Sequence, residues 1–310
     1  MTMRLVHWRE PDPRAFHHIW QSLSRRWAER LAWDSTRNWV TIETQRCAGT
    51  LPGLALVDDQ QVLAWCYFGV HRETLQVGAF EAQSEALTRS LMDAVMAVAE
   101  PDVAPAGIMF FAFSDAPGLE HALRARGFEV DRYLYLSRDL SQTTTNAVDP
   151  DWDRRVGVLM PGLLECAYGP PELTRPFARH GQPEEWREYV GQVIGANACG
   201  QFEPRLSAAR LSALGDLDGA VVTTVIGPGC AHIAQVAVRP ERRGQGLAGS
   251  MLHDVLARAS ADGFAGVSLL VNEHNTAARG LYESLGFAGS EFFFSAGRPG
   301  VPVPDALALA

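Results

Sequence analysis

The sequence predicts an α/β (α+β) chain built as two tandem copies of one fold, each a mixed, mostly antiparallel twisted sheet flanked by helices. Three observations predict it. The first is an internal echo. Thr74-Leu-Gln-Val-Gly-Ala-Phe80 and a helical stretch Leu91–Ala99 return as Ile233-Ala-Gln-Val-Ala-Val238 and Met251–Ala259. Gln76 and Gln235 are 159 residues apart, as are Gly127-Phe128 and Gly286-Phe287, while Leu91 and Met251 are 160 apart. Two copies make a tandem pair and not a solenoid. The second observation is Ser141–Pro150, polar and poor in apolar residues, which reads as a linker. The expected division is therefore residues 1–140, a linker over 141–154, and 155–310. The third is the order of elements in the second copy.

In that copy, Val158–Ala167 and Glu184–Ile194 space their apolar residues as helices do. Ala220–Ile226 is a β-branched run, Gly227-Pro-Gly229 a turn, and Ala231–Val238 the partner strand of a hairpin. Leu247–Ser260 carries a broad apolar helical face of Leu247, Met251, Leu252, Val255 and Leu256. Val267–Val271 reads as a strand. Asn275 then caps a short helix whose Ala278, Leu281, Tyr282 and Leu285 share one face, with Gly286 as its stop. Phe292–Phe294 completes the order as a further strand. Antiparallel strands followed by strand–helix–strand–helix make a mixed sheet.

Composition narrows the chemistry. The 310 residues include 27 Lys+Arg, all of them Arg, so Schiff-base, P-loop and nucleophilic lysines are excluded. Net charge is 27 − 36 = −9, divided as 14 Arg against 19 acids in residues 1–150 and 13 against 17 thereafter. Neither half is basic, which disfavours nucleic acid or an anionic membrane as partner. The first residues hold no continuous apolar stretch and no run approaches the ~18 residues that span a bilayer. Five scattered cysteines without a C-x-x-C pair read as reduced core thiols, so no metal is expected and the location expected is cytoplasmic.

The chemistry concentrates in Arg239-Pro-Glu-Arg-Arg-Gly-Gln-Gly-Leu-Ala-Gly249, between strand Ala231–Val238 and its helix. A Gly-rich turn opening a helix is an anion cradle. Its backbone N–H groups point outward, and the helix N-terminus favours negative charge. Arg242 and Arg243 add cations suited to phosphate. Gly244-x-Gly246-x-x-Gly249 also satisfies the dinucleotide pattern G-x-G-x-x-G. That reading fails on context, because Arg239–Arg243 separate strand from glycines and Asp262 precedes the next strand instead of ending it.

Arg243-Gly-Gln-Gly-Leu-Ala248 resembles the R/Q-x-x-G-x-G/A signature of the GNAT superfamily of N-acetyltransferases. Asn275-Thr-Ala-Ala-Arg-Gly-Leu-Tyr282-Glu-Ser-Leu-Gly-Phe287 resembles that family's N-x-x-A-x-x-L/F-Y-x-x-x-G-F segment. The resemblance covers about residues 205–296 well and implies two GNAT-like domains in tandem. It implies acetyl-CoA bound where two parallel strands splay, its pyrophosphate on the amides of Arg243, Gly244, Gln245, Gly246, Leu247 and Ala248. Val236 and Val238 on the central strand and Asn275 join the cosubstrate contacts. Tyr282 becomes the general acid that protonates the departing thiolate, and His232 the base, since imidazole titrates near neutrality. Lesser candidates for the base are Glu203, Glu273 and His274. Cys230 reads as a buried thiol.

The same resemblance places acceptor selection in Tyr168–His180 with Trp186 and Tyr189. There Arg175, Arg179 and His180 either bind an acceptor carboxylate or are solvated loop charges, the latter being favoured. The expected acceptor is a small-molecule amine and the expected assembly a monomer or homodimer. The alternative is a non-catalytic acyl-CoA sensor. In the first copy the cradle position reads Gly78-Ala-Phe-Glu-Ala-Gln-Ser-Glu-Ala-Leu87, where Glu81 and Glu85 would repel phosphate. Leu123 stands where Tyr282 is expected and Ala116 where Asn275 is. Residues 1–140 are thus expected to be degenerate and non-catalytic.

Overall fold

Twelve strands form one continuous sheet in the computed structural model, which describes residues 3–59, 61–99, 103–141, 149–196 and 198–300. The first half contributes β1 (Arg4–His7), α1 (Pro13–Leu31), α2 (Thr36–Ala48), β2 (Gly53–Asp58), β3 (Gln61–His71), β4 (Thr74–Ala82), α3 (Glu85–Val98), β5 (Gly107–Ala112), α4 (Leu119–Arg124) and β6 (Glu129–Asp139). The second contributes α5 (Arg154–Tyr168), α6 (Pro183–Val190), β7 (Gln201–Phe202), β8 (Ala208–Leu211), β9 (Leu217–Gly227), β10 (Cys230–Val238), α7 (Leu247–Ala261), β11 (Gly266–Asn272), α8 (Thr276–Ser284) and β12 (Ala288–Pro299). Each element read in the second copy is present. The helix expected over Glu184–Ile194 ends as an α-helix at Val190 and runs on as one π-turn, Gly191–Gly195. The linker read over 141–154 falls largely on residues 142–148, outside the described ones. Asp153 caps α5 by accepting from Arg155 N–H at 2.8 Å.

Strand order is β1-β2-β3-β4-β5-β12-β6-β11-β10-β9-β7, with β8 also on β9. Each half has one parallel pair, β4 with β5 and β10 with β11, and each pair holds register for only four residues. The last strands are exchanged. β12 lies between β5 and β6, while β6 pairs along its length with β11 of the other half. Arg30 of α1 reaches Glu291 of β12, and the buried Arg179 donates to the carbonyls of Ile108 and Arg298, at 3.4 and 3.2 Å. The two halves therefore share one hydrogen-bonded centre.

Register corrects one part of the repeat. The bulges that break the two central strands fall at Gly78 and Ala234, and Thr74 pairs with Gly107 as Cys230 pairs with Gly266. The strand offset is thus 156, and Gln76 corresponds to His232 and not to Gln235. The 159 offset holds farther on. Phe128 N–H bonds the Leu123 carbonyl as Phe287 N–H bonds that of Tyr282, so Leu123 does stand in the place of Tyr282. The difference is made up by the cradle, which is longer in the second half.

Packing follows the sheet. Leu136, Ile233, Met251, Leu252, Val255, Val267, Leu269 and Phe287 form the core under α7 and α8, whereas Val156, Met160, Leu163, Trp186 and Val222 form the core under α5 and α6. Among the described residues no helix is long and apolar enough to cross a membrane. Cys66 and Cys230 are buried, but Cys47 and Cys166 are exposed, so the reading of all five as core thiols holds only in part.

Candidate active site

Parallel strands that stop pairing open a cleft. β10 and β11 are in register from Cys230–Gly266 to Ile233–Leu269 and then part. The Ala234 bulge turns β10 away at the point of divergence. The resulting cleft has a volume of about 930 Å³, lined on one side by Gln235–Val238 and on the other by Leu270–Asn272, Ala278 and Tyr282. Residues of the first half, among them His71, Arg72, Phe111 and Tyr133, close its far end.

The cradle sits at one mouth. Gly244 (φ 71°) and Gly246 (φ 75°) take the left-handed conformation, and Gly246 caps α7 without a side-chain bond. The first backbone bond of α7 runs from Ser250 N–H to the Gly246 carbonyl, leaving the amides of 244–249 without a backbone partner among the described residues. Open solvent lies over both glycines. A helix start with that many free donors suits a pyrophosphate. Both arginines have partners. Arg242 is paired with Asp218 at 3.1 Å, and Arg243 donates to the carbonyls of Ala167 and Val238. Arg242 is thereby offset by a carboxylate, whereas Arg243, bonded to neutral carbonyls, keeps its positive charge beside the free amides on the cleft lining.

Gly246→Ala tests this. A side chain at that φ costs about 1–2 kcal/mol. Because nothing packs over the loop, the free chain relaxes and the cost emerges on binding. The expected result is acetyl-CoA affinity weakened about tenfold by calorimetry, about 1.4 kcal/mol, with the melting temperature nearly unchanged.

Tyr282 projects from α8 into the cleft, its ring edge-on to Phe287 at 6.0 Å, and its hydroxyl has no hydrogen-bond partner among the described residues. Burial, with the neighbouring Tyr168 adding to it, pushes the phenol well above its usual range, so it carries its proton at neutral pH. Asn275 lines the same cleft, and its side chain accepts from Ala278 N–H at 3.1 Å, capping α8 as expected.

Residues 169–287 match the family model described as Acetyltransferase (GNAT) family. That segment belongs to the GNAT acetyltransferase family. Mycothiol acetyltransferase of Kocuria rhizophila is 32% identical over 124 residues, which are 37% of this chain and 39% of that protein, so the chain spans about two fifths of that relative's length. A tandem GNAT protein from the clavulanic acid biosynthesis pathway superposes with a TM-score of 0.60 at 14% identity, covering 97% of this chain and all of that one. A GCN5-related N-acetyltransferase from Sphaerobacter thermophilus gives 0.59 at 19% identity, covering 81% of this chain and 82% of that one. The two structures show the fold alone, the first of them being a tandem GNAT protein that superposes along nearly the whole chain.

Within the GNAT segment, His232 does not behave as a neutral-pH titrating group. It is buried between Trp33 and Tyr135, its Nδ1 is 3.0 Å from Ser268 Oγ, and burial depresses its pKa to about 3. The imidazole therefore stays neutral through the physiological range, which removes the reason for reading it as the base. Below the ordinary value of 6.5 the unfolded chain takes up a proton that the folded chain refuses. Stability is full above about 6.5 and is lost toward pH 3, at about 1.4 kcal/mol per pH unit. Urea midpoints measured from pH 8 to 5 are expected to fall below pH 6.5 in the native chain and to flatten in His232→Phe.

Glu203 lies off the cleft, accepting from Arg205 N–H at 3.1 Å, and Glu273 accepts from Arg132 N–H at 3.2 Å. His274 is exposed at the rim, 3.5 Å from Asp131. The arginines of the acceptor loop fit neither expectation, being neither solvated nor free. Arg175 is 3% exposed and donates to the carbonyls of Tyr168, Pro170 and Ala178, and Arg179 is buried at the join of β5 and β12. They hold the loop's shape. His180 pairs with Glu185 at 3.0 Å.

The missed feature is a polar cluster on the cleft wall. Gln235, 4% exposed, accepts from the Tyr189 hydroxyl at 2.8 Å and donates to the Tyr168 hydroxyl. A glutamine inside the apolar run of β10 was the available signal.

The corresponding place in the first half is filled. A Cβ on the bulged Gly78 would lie 2.3 Å from the Tyr67 ring, so that ring occupies the space beside the bulge. Ser114 ties the parting strands by donating to the Phe80 carbonyl, Glu81 is paired with Arg26, and Leu123 is wholly buried. Nothing there matches the GNAT cradle: Ser84 caps α3 two residues after β4 ends.

Proposed function

We propose that this chain is an acyl-CoA-dependent N-acetyltransferase that moves an acetyl group from acetyl-CoA to a small-molecule amine by direct attack in the C-terminal cleft. One observation carries the reading: the free-amide cradle adjoins, through Arg243 and Ala248, the same cleft that Tyr282 lines at the splay of β10 and β11. The amides of 244–248 hold the pyrophosphate, the Arg243 N–H being bonded to the Pro240 carbonyl at 3.2 Å, with Val236, Val238 and Asn275 along the arm. The acceptor attacks as the free amine, its excess proton having gone to water. The C–S pair leaves on sulfur, sulfur takes the proton of Tyr282, and the surplus proton on the newly bonded nitrogen passes through water to restore the Tyr282 phenol. A buried, protonated phenol within reach of a thiolate is a competent donor. His232 enters as part of the cleft floor. The similarity to a mycothiol acetyltransferase supports a small acceptor over a protein one. The division into residues 1–140 and 155–310, with chemistry only in the second, and a cytoplasmic location belong to the same proposal.

Free thiol release from acetyl-CoA, followed across a panel of small amines, tests it. Acceptor-dependent release is expected. Tight acetyl-CoA binding with no release for any amine would favour a sensor instead.

A further inference from the structure

We propose that Tyr168 is a second hydroxyl donor in the cleft, aimed at the thioester carbonyl by a directed hydrogen-bond chain from Tyr189 through Gln235. This rests on the acetyl-transfer reading above.

The direction of the chain is fixed by one carbonyl. Gln235 Nε2 is 3.3 Å from the Val236 carbonyl oxygen, which can only accept, so the amide's hydrogens lie at that end. The same nitrogen therefore donates to Tyr168, and Oε1 is left to accept the Tyr189 hydroxyl. Tyr168 Oη already accepts, and its own hydrogen has no acceptor among the described residues, so that O–H is available to the cleft it lines. The ring cannot easily swing away. Trp186 packs on it at 5.5 Å, Phe177 meets it edge-on at 5.3 Å, and the Arg175 guanidinium sits over it at 5.6 Å. Gln235 directly follows the bulged Ala234, where β10 leaves β11. The donor is thus set beside the splay that the acyl end of the cosubstrate enters.

No proton changes hands at Tyr168. As the amine pair forms the C–N bond, the C=O π pair moves onto oxygen and is held by the Tyr168 O–H. That pair returns when the C–S bond breaks, sulfur takes the Tyr282 proton, and the nitrogen's surplus proton passes through water to restore the Tyr282 phenol. Tyr189 and Gln235 are positioning residues.

The probe is a carbonyl-¹³C ketone analogue of acetyl-CoA, which binds without reacting, read by infrared difference spectroscopy. The bound carbonyl stretch is expected at lower wavenumber than in water, returning upward in Tyr168→Phe and part-way in Tyr189→Phe, with CoA affinity unchanged within about twofold. With an active amine, Tyr168→Phe is expected to lower kcat by at least about tenfold, toward the 10²–10³ of a lost oxyanion donor, while KM for acetyl-CoA holds. Analogue binding with the same carbonyl stretch in native chain and Tyr168→Phe overturns the inference and leaves the transferase reading intact. Failure of the native chain to bind the analogue or CoA overturns both.

Discussion

Tyr282→Phe is expected to lower kcat by about 10²-fold or more, within the 10²–10⁴ range of general acid catalysis, while the dissociation constant for acetyl-CoA stays within about twofold. The substitution removes one oxygen that bonds no described residue, so nothing structural is lost with it. The ring keeps its contact with Phe287 and its place on α8. The loss is therefore confined to the step in which sulfur departs. It is expected to be smallest with acyl thioesters whose thiol is more acidic, because a better leaving group needs less of the proton. A variant that keeps native turnover across the pH range removes Tyr282 from the mechanism.

Deleting the last strand has the largest expected effect on folding. A chain ending at Phe287 lacks β12, which pairs with β5 on one side and β6 on the other. Both strands become unpaired edges in the middle of the sheet, and such edges aggregate. The buried Phe293 and Phe294 alone contribute about 3–6 kcal/mol, against a typical whole-domain stability of about 5–15 kcal/mol. The truncated chain is expected to be insoluble or to lose its cooperative thermal transition, followed by circular dichroism. Residues 1–140 alone fare no better, since β6 loses β11 and β5 loses β12. A cooperatively folded, monomeric 1–140 fragment would show that the exchange is dispensable.

That exchange marks where sequence reasoning stops. The second half was legible because its elements announce themselves locally: a β-branched run, a Gly-Pro-Gly turn, an apolar helical face, an asparagine cap and a glycine stop. Strand partners are not local. The apolar alternation of β6 and β12 reads the same whether each joins its own half or the other. The repeat was visible, but its offset changes by three residues where the second half's cradle is longer, and the matching strand positions emerge only from the pairing around the equivalent bulges at Gly78 and Ala234. Within the site, glycines and Tyr282 were legible because their spacing is carried by one loop and one helix. The fates of Arg175 and Arg179 were not, because both are buried by elements far away in sequence. His232 had the right residue type on the right strand, but its environment is set by Trp33 and Tyr135 from the other half, and they change its chemistry.

In the proposed arrangement one of two corresponding strand-splay sites is open, and the other is filled by Tyr67, Arg26 and Leu123. Calorimetric titration of the full chain with acetyl-CoA counts the open sites. One molecule is expected to bind per chain, with binding weakened by Gly246→Ala and indifferent to Glu81→Gln. Two equivalents per chain, or one whose affinity follows Glu81 and ignores Gly246, would place acetyl-CoA in the first half and overturn this arrangement.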